Sequence, residues 1–236
     1  MIRFHPSTEQ LALFVEGQLS SSLSLMVSAH CDMCLQCQRI VELETESLAR
    51  SILGEKKSHE SVIDASHNDV MDSLLAHITQ MPSVSEADIG IQVQSPPVPK
   101  GNTIDLDGRK FSLPRTLQRY VEKTGNWSSL VGKLWQAPVD LGSQNAANFI
   151  YMGSGGSVPE HTHRGTEFTL VIDGQFSDGL NNYDVGDFIF MDGSHTHSPR
   201  SNAEEGCLVF SILDQPLHFT SGLSRLLNPF SHLFFR

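Results

Sequence analysis

Apolar positions along the first eighty residues recur every three to four places. Leu11, Leu13, Phe14 and Val15 follow Pro6 and Ser7, and Gln10 lies three places after the serine, which predicts a first helix opened by a capping box. A second helical stretch, LSSSLSLMVSAH, runs to His30. From about Cys34 a third carries Ile40, Val41, Leu43 and Leu48, keeps Glu42, Glu44 and Glu46 on its wet side, and meets a stop signal at Gly54. After a polar break at Lys56–Ser61, the residues Val70, Met71, Leu74, Leu75 and Ile78 repeat at helical spacing. They predict a fourth helix whose apolar face either packs on its own domain or is available to a partner.

The period then changes. Residues 82–102 lose helical spacing and gather Pro96, Pro97 and Pro99, the composition of an extended, semi-rigid spacer. Beyond it, TIDL-DG-RKFSL reads as a hairpin around Asp107-Gly108, and NFIYMG, EFTLVI, DFIFM and CLVFSIL read as strands. Asp173-Gly174 reads as a second two-residue hairpin turn. The chain is therefore expected to be α + β in two domains: a helical domain at 1–86, a proline-containing linker at 87–102 and an all-β domain at 103–236. Near the end, Leu226, Leu227, Phe230, Leu233, Phe234 and Phe235 form an apolar tail expected to cover the β domain rather than stay in water.

Composition narrows the partners. Among 236 residues the formal net charge is −11, a poor basis for holding phosphates, so direct nucleic-acid binding is not expected and a basic protein partner fits better. No apolar run approaches the roughly 20 residues that span a bilayer, and MIRFHPSTEQ carries no signal-peptide pattern, so no membrane role and a cytoplasmic location are expected. Cys31, Cys34 and Cys37 crowd into a turn or two of helix, with only Cys207 elsewhere. In a reducing compartment that crowding points to metal or redox chemistry rather than a disulfide framework.

Cys34 and Cys37 are three apart and share a face at a helix start, and His30 at the end of the preceding helix closes on them. His5, just before the first helix, supplies a fourth ligand. Together His5, His30, Cys34 and Cys37 make a closed Cys2His2 set of the structural zinc kind. The other reading of a C-x-x-C, a thioredoxin-like redox pair, lacks its strand–helix–strand setting. Cys31 is a spare thiol beside the set, or a substitute ligand or redox switch; Cys207 reads as a small buried hydrophobe.

Between Gly155 and Gly174, His161 and His163 emerge on one side of a strand and Glu167 keeps their parity. Imidazoles with a carboxylate suit a divalent metal, zinc first, with Fe, Mn and Ni also accepting such ligands. A fourth ligand comes from the segment YDVGDFIFMDGSHTHSP, where His195 and His197 share parity.

The spacing resembles the cupin signature G-x5-H-x-H-x3-E-x6-G, met at Gly155, His161, His163, Glu167 and Gly174. In the second cupin motif Gly186 and His197 hold register, while Asp192, Ser194 and Ser201 replace the usual proline, glycine and asparagine. The resemblance selects His197 as the ligand and implies a double-stranded β-helix (jelly-roll) barrel. Likewise, His5 with His30-x3-Cys34-x2-Cys37 resembles the zinc-binding anti-sigma family, in which the fourth helix takes part in binding sigma.

In this order the two motifs resemble ChrR-type anti-sigma factors. The resemblance implies a non-enzymatic negative regulator of transcription that holds an extracytoplasmic-function-type sigma factor through the helical domain. It also implies release in response to singlet oxygen or related oxidative stress through the cupin-like domain. The competing readings are a cupin enzyme, a dioxygenase or isomerase with a helical zinc appendage, and a ligand or metal sensor without a sigma partner.

Overall fold

A computed structural model describes residues 1–54, 65–80, 101–130, 132–142, 146–220, 222 and 228. The apolar tail and most of the expected linker lie outside the described residues. Four longer helices come first: α1 (Thr8–Val15), α2 (Ser21–Cys31), α3 (Leu35–Leu53) and α4 (Ala65–Gln80). The capping box forms as expected, with Ser7 Oγ accepting from Gln10 N–H and Gln10 Oε1 accepting from Ser7 N–H. Gly54 ends α3 at φ +65°, a left-handed conformation that favours glycine.

Among the described residues twelve strands follow, with the short helix α5 (Arg115–Gln118) and a 3-10 turn at Val121–Lys123 between them. They are β1 (Thr103–Leu106), β2 (Arg109–Ser112), β3 (Ser128–Ser129), β4 (Leu134–Pro138), β5 (Ala146–Met152) and β6 (His161–Thr162), then β7 (Glu167–Ser177), β8 (Asn182–Asp184), β9 (Phe188–Met191), β10 (Thr196–His197), β11 (Cys207–Leu213) and β12 (His218–Phe219). The hairpin β1–β2 turns at Asp107-Gly108, both at positive φ, as a type I′ turn requires. A large sheet ordered β3-β4-β5-β11-β7-β8, with β9 also on β7, and a small sheet β10-β6-β12 make the jelly-roll, cupin-like barrel.

Asp173-Gly174 is not a hairpin turn. β7 runs through it to Ser177, and the register against β11 shifts between Leu208 and Val209. Gly174 is required there by its φ of +74° and by the backbone of Gly206, whose carbonyl oxygen would sit 2.1 Å from an added Cβ. A bulge and a turn call for the same residue, and two letters of sequence do not tell them apart.

Every residue of β11 is buried, because both of its faces are covered. Cys207, Val209 and Leu213 point into the barrel with Ile150, Val171 and Ile189. Leu208, Phe210 and Ile212 point the other way, into a cluster with Leu11, Met26 and Val27 of the helices and Phe111 of β2. Packing therefore cuts the chain differently from the sequence division at 87–102: one compact unit is Met1–Glu46 with Gly101–Arg236, and a second is Ser47–Lys100. No helix among the described residues is long and apolar enough to cross a membrane.

Candidate metal centres

Chain order alone brings the first donor set together. His5 precedes α1, His30 lies in the last turn of α2, and Cys34 and Cys37 open α3. His5 Nδ1 lies 3.4 Å from His30 Nε2, from Cys34 Sγ and from Cys37 Sγ, and His30 Nε2 lies 3.3 Å from Cys37 Sγ. Zinc bound at about 2.0–2.1 Å to nitrogen and about 2.3 Å to sulfur spaces tetrahedral donors by about 3.3–3.8 Å. The set fits that frame.

His30 and both cysteines are buried. His30 Nδ1 donates to the carbonyl of Gly186 at 2.9 Å, which leaves Nε2 as the lone pair facing the other donors. Burial, above all, holds the His30 imidazole down at about 4, so it stays neutral as a ligand must. Burial, then Cys34, pushes the Cys37 thiol up to about 12; a divalent cation at this point supplies the charge that favours the thiolate. Cys31 is half-buried beside the set, its thiol raised to about 11 by burial foremost.

The second set stands at the mouth of the barrel. β6 pairs with β10 so that His161 faces His197. His163 follows β6 directly, and Glu167 begins β7. His197 Nε2 lies 2.9 Å from His161 Nε2 and 3.1 Å from His163 Nε2, while Glu167 Oε2 lies 3.3 Å from His163 Nδ1. His161 Nδ1 donates to the Pro159 carbonyl at 2.9 Å, so its Nε2 is a bare lone pair aimed at His197. Buried His197 Nδ1 has no hydrogen-bond partner. Converging lone pairs in a buried site are what a cation resolves, and donors at right angles on a metal about 2.1 Å away are about 3.0 Å apart. This set fits a divalent metal.

The electrostatics agree with that fit. Burial first, then His197, lowers His161 to about 4, and burial also lowers His197. For Glu167 burial opposes ionisation, but His163, His161 and His197 together with a hydrogen bond from Ser211 outweigh it and hold the carboxyl below its usual range. Its second oxygen, Oε1, accepts from Thr169 Oγ1 at 2.9 Å and Ser211 Oγ at 2.8 Å. Behind His161, Glu167 and His197 the barrel holds an apolar cavity of ≈ 40 Å³ among Ile150, Val158 and Ile189.

His195 is outside the donor set: its exposed ring bonds Asp192 at 2.8 Å. Sequence reasoning did not single out Thr169 and Ser211. Both carry a parity signal, since Thr169 is two places from Glu167, and Ser211 is the lone hydroxyl between the inward-facing Val209 and Leu213. Of the apolar positions assigned to a partner, Met71, Leu74, Leu75 and Ile78 are 59%, 55%, 52% and 56% exposed on α4, whereas the side chain of Val70 lies outside the described residues.

Three comparisons bear on this arrangement. Residues 121–216 match the family described as ChrR cupin-like domain. The anti-sigma-E factor ChrR of Cereibacter sphaeroides is 28% identical over 229 residues, covering 97% of this chain and 98% of that one. The crystal structure of Rhodobacter sphaeroides SigE in complex with the anti-sigma ChrR shares the fold, with a TM-score of 0.61 at 22% identity over 91% of this chain and all of that chain.

Proposed function

We propose that this protein, which is similar over 97% of its length to an anti-sigma factor and whose residues 121–216 match the ChrR cupin-like domain, is itself an anti-sigma factor. It sequesters a sigma factor of the extracytoplasmic function type through its helical, zinc-binding part and releases it under oxidative stress, singlet oxygen or a related signal, acting at the barrel. The observation that carries this reading is the presence, on one chain, of a closed Cys2His2 set and a separate His3Glu set at the mouth of a ChrR-like barrel. Zinc at His5, His30, Cys34 and Cys37 supplies a structural cross-link when bound. The barrel set takes a divalent metal, zinc first.

The partner surface is the apolar stripe of α4, Val70, Met71, Leu74, Leu75 and Ile78. Four of these side chains are more than half exposed at i, i+3, i+4 and i+7 spacing, the pattern with which a helix fills a partner's groove. The division of labour follows the sequence division, with 1–86 holding sigma and 103–236 governing release across the 87–102 segment. The charge of −11 suits a partner built to hold nucleic acid, and the protein itself touches neither DNA nor a membrane. A cytoplasmic location follows from that role.

A sigma-dependent reporter strain exposed to singlet oxygen tests the reading. Expression of the chain should silence the reporter and illumination should restore it, whereas His161→Ala or His197→Ala should keep it silent. Release by these variants equal to that of the parent would remove the barrel metal from signalling. One observation favours a second reading, a cupin enzyme of the dioxygenase or isomerase type: the cavity opens directly on His161, Glu167 and His197. Metal-dependent turnover of small organic acids or phenols would put that reading first.

A further inference from the structure

Two of the four donors in the N-terminal set are held by consecutive residues of one barrel turn. The turn joins β8 to β9. Its Gly186 carbonyl is the acceptor for His30 Nδ1–H, the bond that sets the tautomer of that ligand. Its Asp187 carboxylate is fully buried, and Oδ1 accepts from the backbone N–H of Arg3 at 2.7 Å and of Phe4 at 3.1 Å. The other oxygen closes the turn by accepting from Asp184 N–H at 2.8 Å.

Phe4 is tied a second time, its carbonyl accepting from Phe188 N–H at 2.9 Å, and its ring packs on Tyr183 with centroids 4.8 Å apart. Arg3 reaches the Asn182 carbonyl and lies 3.8 Å from Asp184. The residues leading into ligand His5 thus form a strap along the barrel edge. Gly186 is required beneath that strap: its φ is +89°, and a Cβ there would meet Ile2 Cδ1 at 2.5 Å. The turn is rooted in β7, the strand that begins with Glu167 of the other donor set, because Gly186 N–H donates to Val171 O, and β9 pairs with β7 from Phe188↔Leu170 to Met191↔Glu167.

We propose that this barrel turn is part of the N-terminal metal site, with the Gly186 carbonyl and the Asp187 carboxylate as positioning groups for His30 and His5. The proposal rests on the zinc reading of that site. The helices then hold the metal only as firmly as the barrel holds the turn, and a displacement of β9 against β7 loosens zinc at the other end. The barrel acts on the helical part through ligand geometry as well as through shared packing.

Cobalt in the full-length protein tests this. Only the N-terminal set contains sulfur, so a thiolate-to-cobalt charge-transfer band reports that site and is blind to the barrel set. Loss of the band into excess chelator is timed for the parent, Asp187→Asn and Arg3→Ala, with barrel metal content and melting temperature measured alongside. Asp187→Asn should speed cobalt loss by about tenfold or more, the scale on which outer-shell partners act, and Arg3→Ala by less. Leu134→Ala, which thins the barrel interior away from both donor sets, should change the rate less than about twofold however much it lowers the melting temperature.

An unchanged rate in Asp187→Asn, or in Arg3→Ala should Asp187→Asn not fold, would overturn the proposal. Equal acceleration by Leu134→Ala would also overturn it, by reducing the effect to general destabilisation. A parent without any thiolate–cobalt band would fail earlier, taking the zinc reading of the site with it.

Discussion

His30 and Gly186 stand 156 positions apart in the chain and 2.9 Å apart in space, joined by the bond from the imidazole Nδ1 to the carbonyl. A helix of the Cys2His2 set and a turn of the barrel are thereby parts of one packed body. Leu11, Met26 and Val27 share their apolar cluster with Phe149 and Phe210 of the barrel sheet. A fragment ending near residue 86 should therefore hold zinc less firmly than the full chain and expose the barrel-facing side of α2. It should bind more hydrophobic dye than the full chain, and dye binding no greater than that of the full chain would show that this face finds cover elsewhere.

The two metal sites should fail separately. Cys37→Ala removes one of the four donors, so the purified protein should drop from about two bound metal ions to about one. His161→Ala should also lose one ion while keeping the near-ultraviolet dichroism of a folded barrel, because the barrel has its own apolar interior. Elemental analysis with circular dichroism checks both outcomes, and a zinc-free N-terminal site that stays folded would contradict a structural role.

Ser211→Ala takes one of the two hydroxyl donors from Glu167 Oε1. Metal affinity at the barrel set should fall by about tenfold, with the fold intact. Competition against a chromogenic chelator measures it.

Acid should weaken the metal-free protein well above the usual carboxylate range. His161 and His30 are each held near 4, mainly by burial, against 6.5 in an unfolded chain. Between those values the unfolded state binds more protons, so stability is full above about pH 6.5 and declines as pH falls toward 4, by up to about 1.4 kcal/mol per pH unit for each group. Urea melts at pH 7.5, 6 and 5 should show the decline, and His161→Gln should flatten it. Bound metal should steepen it, since protons then compete with the cation for the same nitrogens.

Both donor sets were legible in the sequence because each is written locally. Three of the four donors of the N-terminal set fall within eight residues at helical offsets, and His161, His163 and Glu167 fall within seven at strand parity. The helix caps and the Asp107-Gly108 turn were legible for the same reason. Asp187 was not: an aspartate after a turn glycine is ordinary sequence, and its role is set by Arg3 and Phe4 on a segment more than 180 residues away. Gly174 misled because a left-handed glycine serves a bulge as well as a hairpin. The continuous apolar run of β11 signalled burial on both faces, but only the fold shows that the second cover is α1 and α2 together with the β1–β2 hairpin.

The central claim, that the chain sequesters a sigma factor through α4, is tested most directly by sedimentation of the purified, zinc-loaded protein with candidate extracytoplasmic-function sigma factors of its own genome. The full chain should form a 1:1 complex with one of them. Leu74→Glu with Ile78→Glu should abolish it, weakening affinity at least a hundredfold at unchanged zinc content, because both side chains are exposed and neither is needed for the fold. No complex with any such sigma factor, or a complex indifferent to the two glutamates, would contradict the account.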